Sequence, residues 1–262
     1  MLKPLSEISY SLIIDTINNI FSDYEYEIQW KVDKFVKDIR EFSIDLKASL
    51  AYIKGASIKA LSLTCVRGER ARMDSFGVIP SERRKGIATF LLENQIHLLK
   101  QMGIKEYELE VLKTNENAVN FYKKNNFEIV DSLVSLYSPL PPRSGSISFK
   151  NNFEKAIFLS KTFSNQRSLC WIREPESLEK SDRYTACVSD NFYVFYFVVG
   201  NQCFIVDAFG DDIEFKLPSF FKRIKSSLFS IVSLSSTDRL YKFLVNNNFM
   251  EFSEQWKMKM YL

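Results

Sequence analysis

The segment that most constrains this chain runs Asp74-Ser75-Phe76-Gly77-Val78-Ile79-Pro80-Ser81-Glu82-Arg83-Arg84-Lys85-Gly86-Ile87-Ala88. A strand pattern ends here and a helix pattern begins. Past Gly86 the apolar residues Ala88, Leu91, Leu92, Ile96 and Leu99 recur at helical spacing, and Gly103 stops the run. A helix start presents backbone N–H groups without partners and the positive end of the macrodipole. Arg83, Arg84 and Lys85 set three cations beside it, a combination that favours a phosphate or pyrophosphate. Gly86 removes a side chain where the backbone must approach such a ligand, and Ala88 keeps the first turn slim. The alternative is a solvated basic turn ahead of an ordinary helix. Neither GxGxxG nor GxxxxGK[ST] occurs, so the loop is not of the Rossmann or Walker type.

Three strand candidates, residues 48–53, 58–66 and 71–78, precede this loop around two short turns and predict an antiparallel meander. Two helices are expected before them. The first, 8–21, carries Tyr10, Ile13, Ile17, Ile20 and Phe21 on one face; the second, 28–41, carries Ile28, Val32, Phe35, Val36 and Ile39. After the loop helix come a strand at 107–112, a short helix at 116–125 and a strand at 127–134. Residues 139–148 concentrate Pro, Gly and Ser and mark a boundary. Beyond it, 191–199 and 202–209 form a hairpin around Gly200-Asn201, followed by a helix near 219–226 and a strand near 228–234. A shift of 122 residues lays Phe121-(x)3-Asn125-Asn126-Phe127 on Phe243-(x)3-Asn247-Asn248-Phe249, and the order hairpin, helix, strand, helix, strand repeats with it. The aromatic run Phe192 to Phe197 is expected to be a buried strand, with an oligomer interface as the competing reading.

With 262 residues, 46% hydrophobic and 26% charged, the chain has the composition of a globular protein with ample core. The 35 Lys and Arg against 32 Asp and Glu leave a net charge of +3 and no basic stripe, which argues against a nucleic-acid or membrane surface. Cys65, Cys170, Cys187 and Cys203 lie far apart, and His97 is the single histidine, so no metal site is expected and the thiols are expected to be buried. His97 also falls inside a predicted helix, which argues against a Ser-His-Asp triad. The N-terminal segment lacks the apolar run and cleavage site of a signal peptide, and a cytoplasmic location is expected.

On these residues the chain resembles the GNAT superfamily of N-acetyltransferases. The family loop R/Q-x-x-G-x-G/A is matched by Arg83, Gly86 and Ala88. A second family feature follows as Leu109-Glu110-Val111, Asn115, Ala118, Tyr122 and Asn126-Phe127, with Asn in place of Gly at 126, a residue that also tolerates the left-handed conformation. The resemblance covers residues 1–137. It implies an α/β (α+β) GNAT fold, a mixed and mostly antiparallel sheet flanked by helices. Residues 1–140 would be the acetyltransferase domain, 141–150 a linker, and 151–262 a second, smaller and degenerate GNAT-like domain.

The resemblance further implies acetyl-CoA as cosubstrate, lying in a V-shaped gap between strands 73–78 and 107–112. The backbone of Phe76 and Val78 would pair with the pantetheine arm, and Arg83 and the amides of Arg84, Lys85, Gly86, Ile87 and Ala88 would hold the pyrophosphate. An amine would attack the thioester directly through a tetrahedral intermediate. Tyr122 would protonate the departing thiolate, a task suited to a Tyr hydroxyl because the reference value of that group, about 10, keeps it protonated at neutral pH; the alternative is that Tyr122 only packs beside Phe121. Asp74 and Glu110 are the candidate bases, and Asn115 is expected to cap the next helix; the resemblance implies that it also contacts the cosubstrate, with capping alone as the alternative. Under the 122-residue shift Tyr122 falls on Leu244, Asn115 on Thr237 and Ala118 on Leu240, so the second domain is expected to bind no cosubstrate and to extend or cover the acceptor cleft of the first. Two other functions compete: an aminoacyl-tRNA-dependent transferase, which the intact pyrophosphate loop and the lack of a basic stripe disfavour, and a non-catalytic acyl-CoA-binding protein. The partners implied are acetyl-CoA and an amine, with no nucleic acid and no membrane; a homo-oligomer is allowed.

Overall fold

The computed structural model describes residues 1–24 and 29–262; Ile28, expected on the second helix, lies outside them. It divides into two compact units, Met1–Leu109 with Lys259–Leu262, and Glu110–Met258.

The first unit opens with β1 (Leu2–Pro4), α1 (Tyr10–Ile20) and α2 (Val32–Phe42). The meander follows as β2 (Leu50–Lys54), β3 (Ser57–Arg67) and β4 (Arg70–Val78); then α3 (Ile87–Gln101) leads into β5 (Glu106–Leu112), which is in this unit as far as Leu109. The strand order is β1-β2-β3-β4-β5, antiparallel except for the parallel β4–β5 pair that the α3 crossover requires. Gly103, at φ +77°, stops α3 as its position suggests. Val78 shares a core cluster with Leu50, Ala60, Ile87 and Leu91, whereas the next residue back, Gly77, lies under Ile20 of α1. Consecutive strand residues face opposite ways, so α3 and α1 cover opposite faces of the sheet.

The face expected for α2 is corrected. Phe35 is buried as expected, but Val32 and Val36 are exposed, and Asp38 and Glu41 share the buried face with Phe35. Asp38 is tolerated there because it is partnered, Lys34 Nζ donating to it at 2.5 Å; at the end of the helix Arg67 donates to the Glu41 backbone carbonyl and the Ser43 hydroxyl, each at 3.3 Å.

The second unit holds the end of β5, α4 (Glu116–Lys124) and β6 (Glu128–Ser138). Residues 141–149 form no helix or strand, yet they are docked: Arg143 donates to the Ser226 carbonyl, and a Cβ on Gly145 would sit 2.3 Å from Ser219 Oγ. Next come β7 (Lys150–Asn151), α5 (Phe153–Phe163), α6 (Pro175–Lys180), β8 (Thr185–Ser189), β9 (Phe192–Val199) and β10 (Gln202–Gly210). The unit closes with α7 (Ile213–Arg223), β11 (Leu228–Ser235), α8 (Arg239–Val245) and β12 (Met250–Tyr261), the last of which is in this unit as far as Met258. Its strand order is β5-β12-β6-β11-β10-β9-β8-β7. The helix expected near 219–226 instead starts at Ile213 and carries Pro218 in its interior. The aromatic strand β9 is buried: Phe192, Val194 and Tyr196 enter one core cluster, Tyr193 and Phe195 another.

The repeat is visible in backbone detail. Asn126 and Asn248 both adopt the left-handed conformation, at φ +65° and +64°. After α4 the Phe127 amide bonds the Tyr122 carbonyl at 3.0 Å; after α8 the Phe249 amide bonds the Leu244 carbonyl at 3.1 Å. Asn125 and Asn247 each return a side-chain bond of 2.8 Å to Phe121 and Phe243. The two strands in equivalent positions, β6 and β12, lie side by side, and β6 pairs antiparallel with β11.

Candidate active site

The parallel β4–β5 ladder is short. It runs from Arg70↔Glu106 to Met73↔Leu109 and stops, while β4 continues to Val78 along β3. A bulge causes the parting: Leu63 faces Ser75 and Thr64 faces Met73, so Asp74 is the extra residue. Bulges bend a strand and raise its local twist, and beyond this one the residues Ser75–Val78 pair with β3 and not with β5. The bent strand leads through Pro80–Glu82 into the N-terminus of α3.

That N-terminus lacks a side-chain cap. Gly86 is its N-cap at φ +77°, and nothing lies within 4 Å of where a Cβ would stand. Open space and uncapped amides fit an anion, and the three cations divide their work around it. Arg83 is turned inward. Its Nη1 and Nη2 grip Asp23 at 2.6 and 2.9 Å, Nη2 also donates to the Ile20 carbonyl at 2.8 Å, and Nε donates to the Val78 carbonyl at 3.1 Å. The Arg83 hydrogen bond lowers the pKa of Asp23, and the same bond raises that of Arg83. Lys85 donates to the Ser81 carbonyl at 2.9 Å and to Glu82 at 3.0 Å. Arg84, exposed and at φ +62°, makes no hydrogen bond or ion pair among the described residues.

Residues 46–127, which contain this parting of strands and this loop, match the acetyltransferase (GNAT) family model. They form a GNAT acetyltransferase domain. The chain is 28% identical over 122 residues to N-alpha-acetyltransferase 50 of Danio rerio, covering 44% of this chain and 70% of that one. It is 30% identical over 119 residues to a probable N-acetyltransferase, san, of Drosophila melanogaster, covering 44% of this chain and 64% of that one. The fold extends over the whole chain. A tandem GNAT protein from the clavulanic acid biosynthesis pathway matches all of it and 98% of its own length, with a TM-score of 0.66 at 12% identity. The protein is thus an acyltransferase of the N-acetyltransferase class, and its fold is that of paired GNAT modules.

The other residues singled out in the GNAT domain are placed as follows. Phe76 and Val78 lie on the bent half of β4, with Val78 buried against Ile87 of α3. Asp74, at the bulge, accepts from Arg72 Nη1 at 2.6 Å and is nearly buried. Glu110, Asn115 and Tyr122 belong to the second unit. Glu110 is half-buried on β5, and Asn115 caps α4 through a 3.2 Å bond from the Ala118 amide. Tyr122 is buried, its ring edge-on to Phe121 at 5.5 Å and Phe127 at 5.7 Å. His97 is exposed and pairs with Gln101. Among the described residues no group of His, Cys, Asp or Glu could hold a metal ion, and all four cysteines are buried without a disulfide.

Sequence reading missed Asp23, the partner of Arg83, because an ion pair across sixty residues leaves no local pattern. It also missed the bulge, since one inserted residue in an otherwise alternating strand has no composition of its own.

Proposed function

We propose that this N-acetyltransferase moves an acetyl group from acetyl-CoA to a primary amine. The observation that carries the reading is the parting of β4 from β5 at the Asp74 bulge, directly ahead of an uncapped, cation-flanked helix start. Acetyl-CoA supplies an activated acyl group. The chain's own residues do the rest. Backbone groups of Phe76 and Val78 line the thioester arm, the amides of Gly86, Ile87 and Ala88 and the side chain of Arg84 hold the pyrophosphate, and Lys85 adds charge nearby. The Tyr122 hydroxyl donates its proton to the leaving sulfur. Asp74, one oxygen of which accepts from Arg72, and Glu110 are the two carboxylates offered to take the amine proton. Asn115 holds the start of α4 and so the position of Tyr122. In the repeat, residues 1–140 are the acetyltransferase module, 141–150 the connection and 151–262 a module that takes no donor.

Thiol release from acetyl-CoA with a panel of small amines and N-terminal peptides tests the reading. Peptides belong in the panel because one relative of the first module is named an N-alpha-acetyltransferase. Tyr122→Phe is expected to lose turnover by about a hundredfold or more, the usual contribution of a positioned acid. Full turnover of that variant across the pH range would remove Tyr122 from the chemistry.

A further inference from the structure

The second unit repeats the fork in its sheet and fills it with its own chain. β10 pairs with β11 in parallel from Gln202↔Leu228 to Ile205↔Ile231 and then stops, although β10 runs on to Gly210 and β11 to Ser235. The bulge falls on Val206, one residue past the last pair, as Asp74 falls one residue past the last pair in β4.

Arg173 sits in this fork. Its Nη1 donates to the Val206 carbonyl and, at 3.3 Å, to Asp207 Oδ1; Nη2 donates to the Val232 carbonyl at 2.5 Å, and Nε to the Ser233 carbonyl at 3.2 Å. One guanidinium therefore bridges carbonyls of both strands in the first positions beyond their last pair. The segment that delivers it is anchored at its other end. Arg167 grips Asp207 through two bonds of 2.8 and 2.9 Å, Asp238 at 2.8 Å and the Tyr193 hydroxyl at 3.1 Å, and its guanidinium lies 4.4 Å from the ring centre of Phe209. The side chains of Arg167, Arg173, Asp207 and Asp238 are all at most 2% exposed, two cations against two anions. Burial works against each charge. In Asp207 the attraction of Arg167 outweighs it and lowers the pKa, and in Arg167 the attraction of Asp207 raises it.

Parted strands leave carbonyls without a ladder partner, and an unsatisfied buried carbonyl is costly. A bound ligand or a side chain has to meet them. Past this fork, α7 begins beside Asp211, Asp212 and Glu214, so the helix start that is cationic in the first half is acidic here and repels phosphate.

We propose that the β10–β11 fork is a guanidinium site permanently held by Arg173, and that the chain in consequence takes one coenzyme A per molecule. The stoichiometry rests on the reading of the first fork as the acyl-donor site; the guanidinium site does not. Two measurements on the full chain test it. Removing one partner of a buried charge network is strongly destabilising, so Arg173→Ala is expected to melt roughly 10 °C lower than the wild type. Millimolar ethylguanidinium is expected to raise the melting temperature of that variant and leave the wild type unmoved. A variant that melts like the wild type, or that ignores ethylguanidinium, overturns the site. Calorimetry of the wild type with coenzyme A is expected to give one site, lost in Gly86→Val. Two sites, or one that survives Gly86→Val, overturn the proposal even if Arg173→Ala does not fold. No binding at all overturns the donor reading and the stoichiometry drawn from it, and leaves the guanidinium response to decide Arg173.

Discussion

At the residue scale, three adjacent cations with the same local appearance have three different employments. Arg83 ties the loop to α1, Lys85 closes the loop on itself, and Arg84 points outward with no partner among the described residues. The motif was legible because its spacing is local; the division of labour was not, because it depends on Asp23 and Ile20, far away in sequence. Arg84→Ala is expected to weaken coenzyme A binding by about threefold to tenfold, a range set by the modest worth of exposed charge pairs, and to leave the melting temperature unchanged. Arg83→Ala should do the reverse in kind, lowering the melting temperature first. Calorimetry beside thermal denaturation separates the two, and equal effects on both quantities in both variants would show that Arg83 and Arg84 act alike. The Asp23–Arg83 pair also has a pH signature. Because the folded-state pKa of Asp23 is depressed, its contribution is present above its unfolded value and lost as pH falls through the folded one. That acid-side loss should be smaller in Arg83→Ala.

At the element scale, periodicity located strands β2 to β6 and helices α1, α3 and α4, because each presents an apolar stripe against one sheet. It misplaced the face of α2, where the buried positions include Asp38 and Glu41 and no hydrophobic pattern marks them. It passed over α5, α6 and β8, which lie in a stretch of mixed polar and apolar residues with weak stop signals. Nor could it see the docking of α1 on β4. A Cβ added at Gly77 would stand 2.3 Å from Ile20 Cγ2, far inside contact distance. Gly77→Ala is therefore expected to cost about 1–3 kcal/mol, the usual range for overpacking, and Ile20→Ala in the same chain, which removes the Cγ2 methyl, should cost less than the sum of the two single changes. Urea denaturation of both single variants and the double variant measures the coupling. Strict additivity would mean that α1 does not press on β4 at this point.

At the scale of the whole molecule, the same burial that forms the cores sets the response to pH. Burial pushes the thiols of Cys187 and Cys203 up to about 12, and that of Cys65 upward as well. An unfolded thiol ionises near pH 8.5, so between roughly that pH and the folded-state values the native chain holds more protons than the unfolded one. Stability must then fall as pH rises. The denaturation midpoint at pH 10 should lie below that at pH 7, and a flat profile would mean that the thiols ionise in the native state. The repeat and the folding unit, meanwhile, are not the same object. By sequence the chain divides at its Pro-rich segment, yet β6, which precedes that segment, pairs with β11, which follows it, and Lys259–Leu262 belongs to the first compact unit. There the Leu262 amide bonds the Lys105 carbonyl at 2.9 Å, and Lys259 Nζ bonds Glu106 at 2.8 Å. A chain cut after residue 140 would leave β6 without β11 and β12, exposing strand edges that invite aggregation. Residues 1–140 alone are therefore expected to be insoluble or unfolded despite containing the complete donor loop. Deleting only Lys259–Leu262 should lower the melting temperature without abolishing the fold. Circular dichroism and size-exclusion chromatography of the two truncations check this, and a soluble, folded 1–140 fragment that binds coenzyme A would show that the first module needs no strand from beyond its linker.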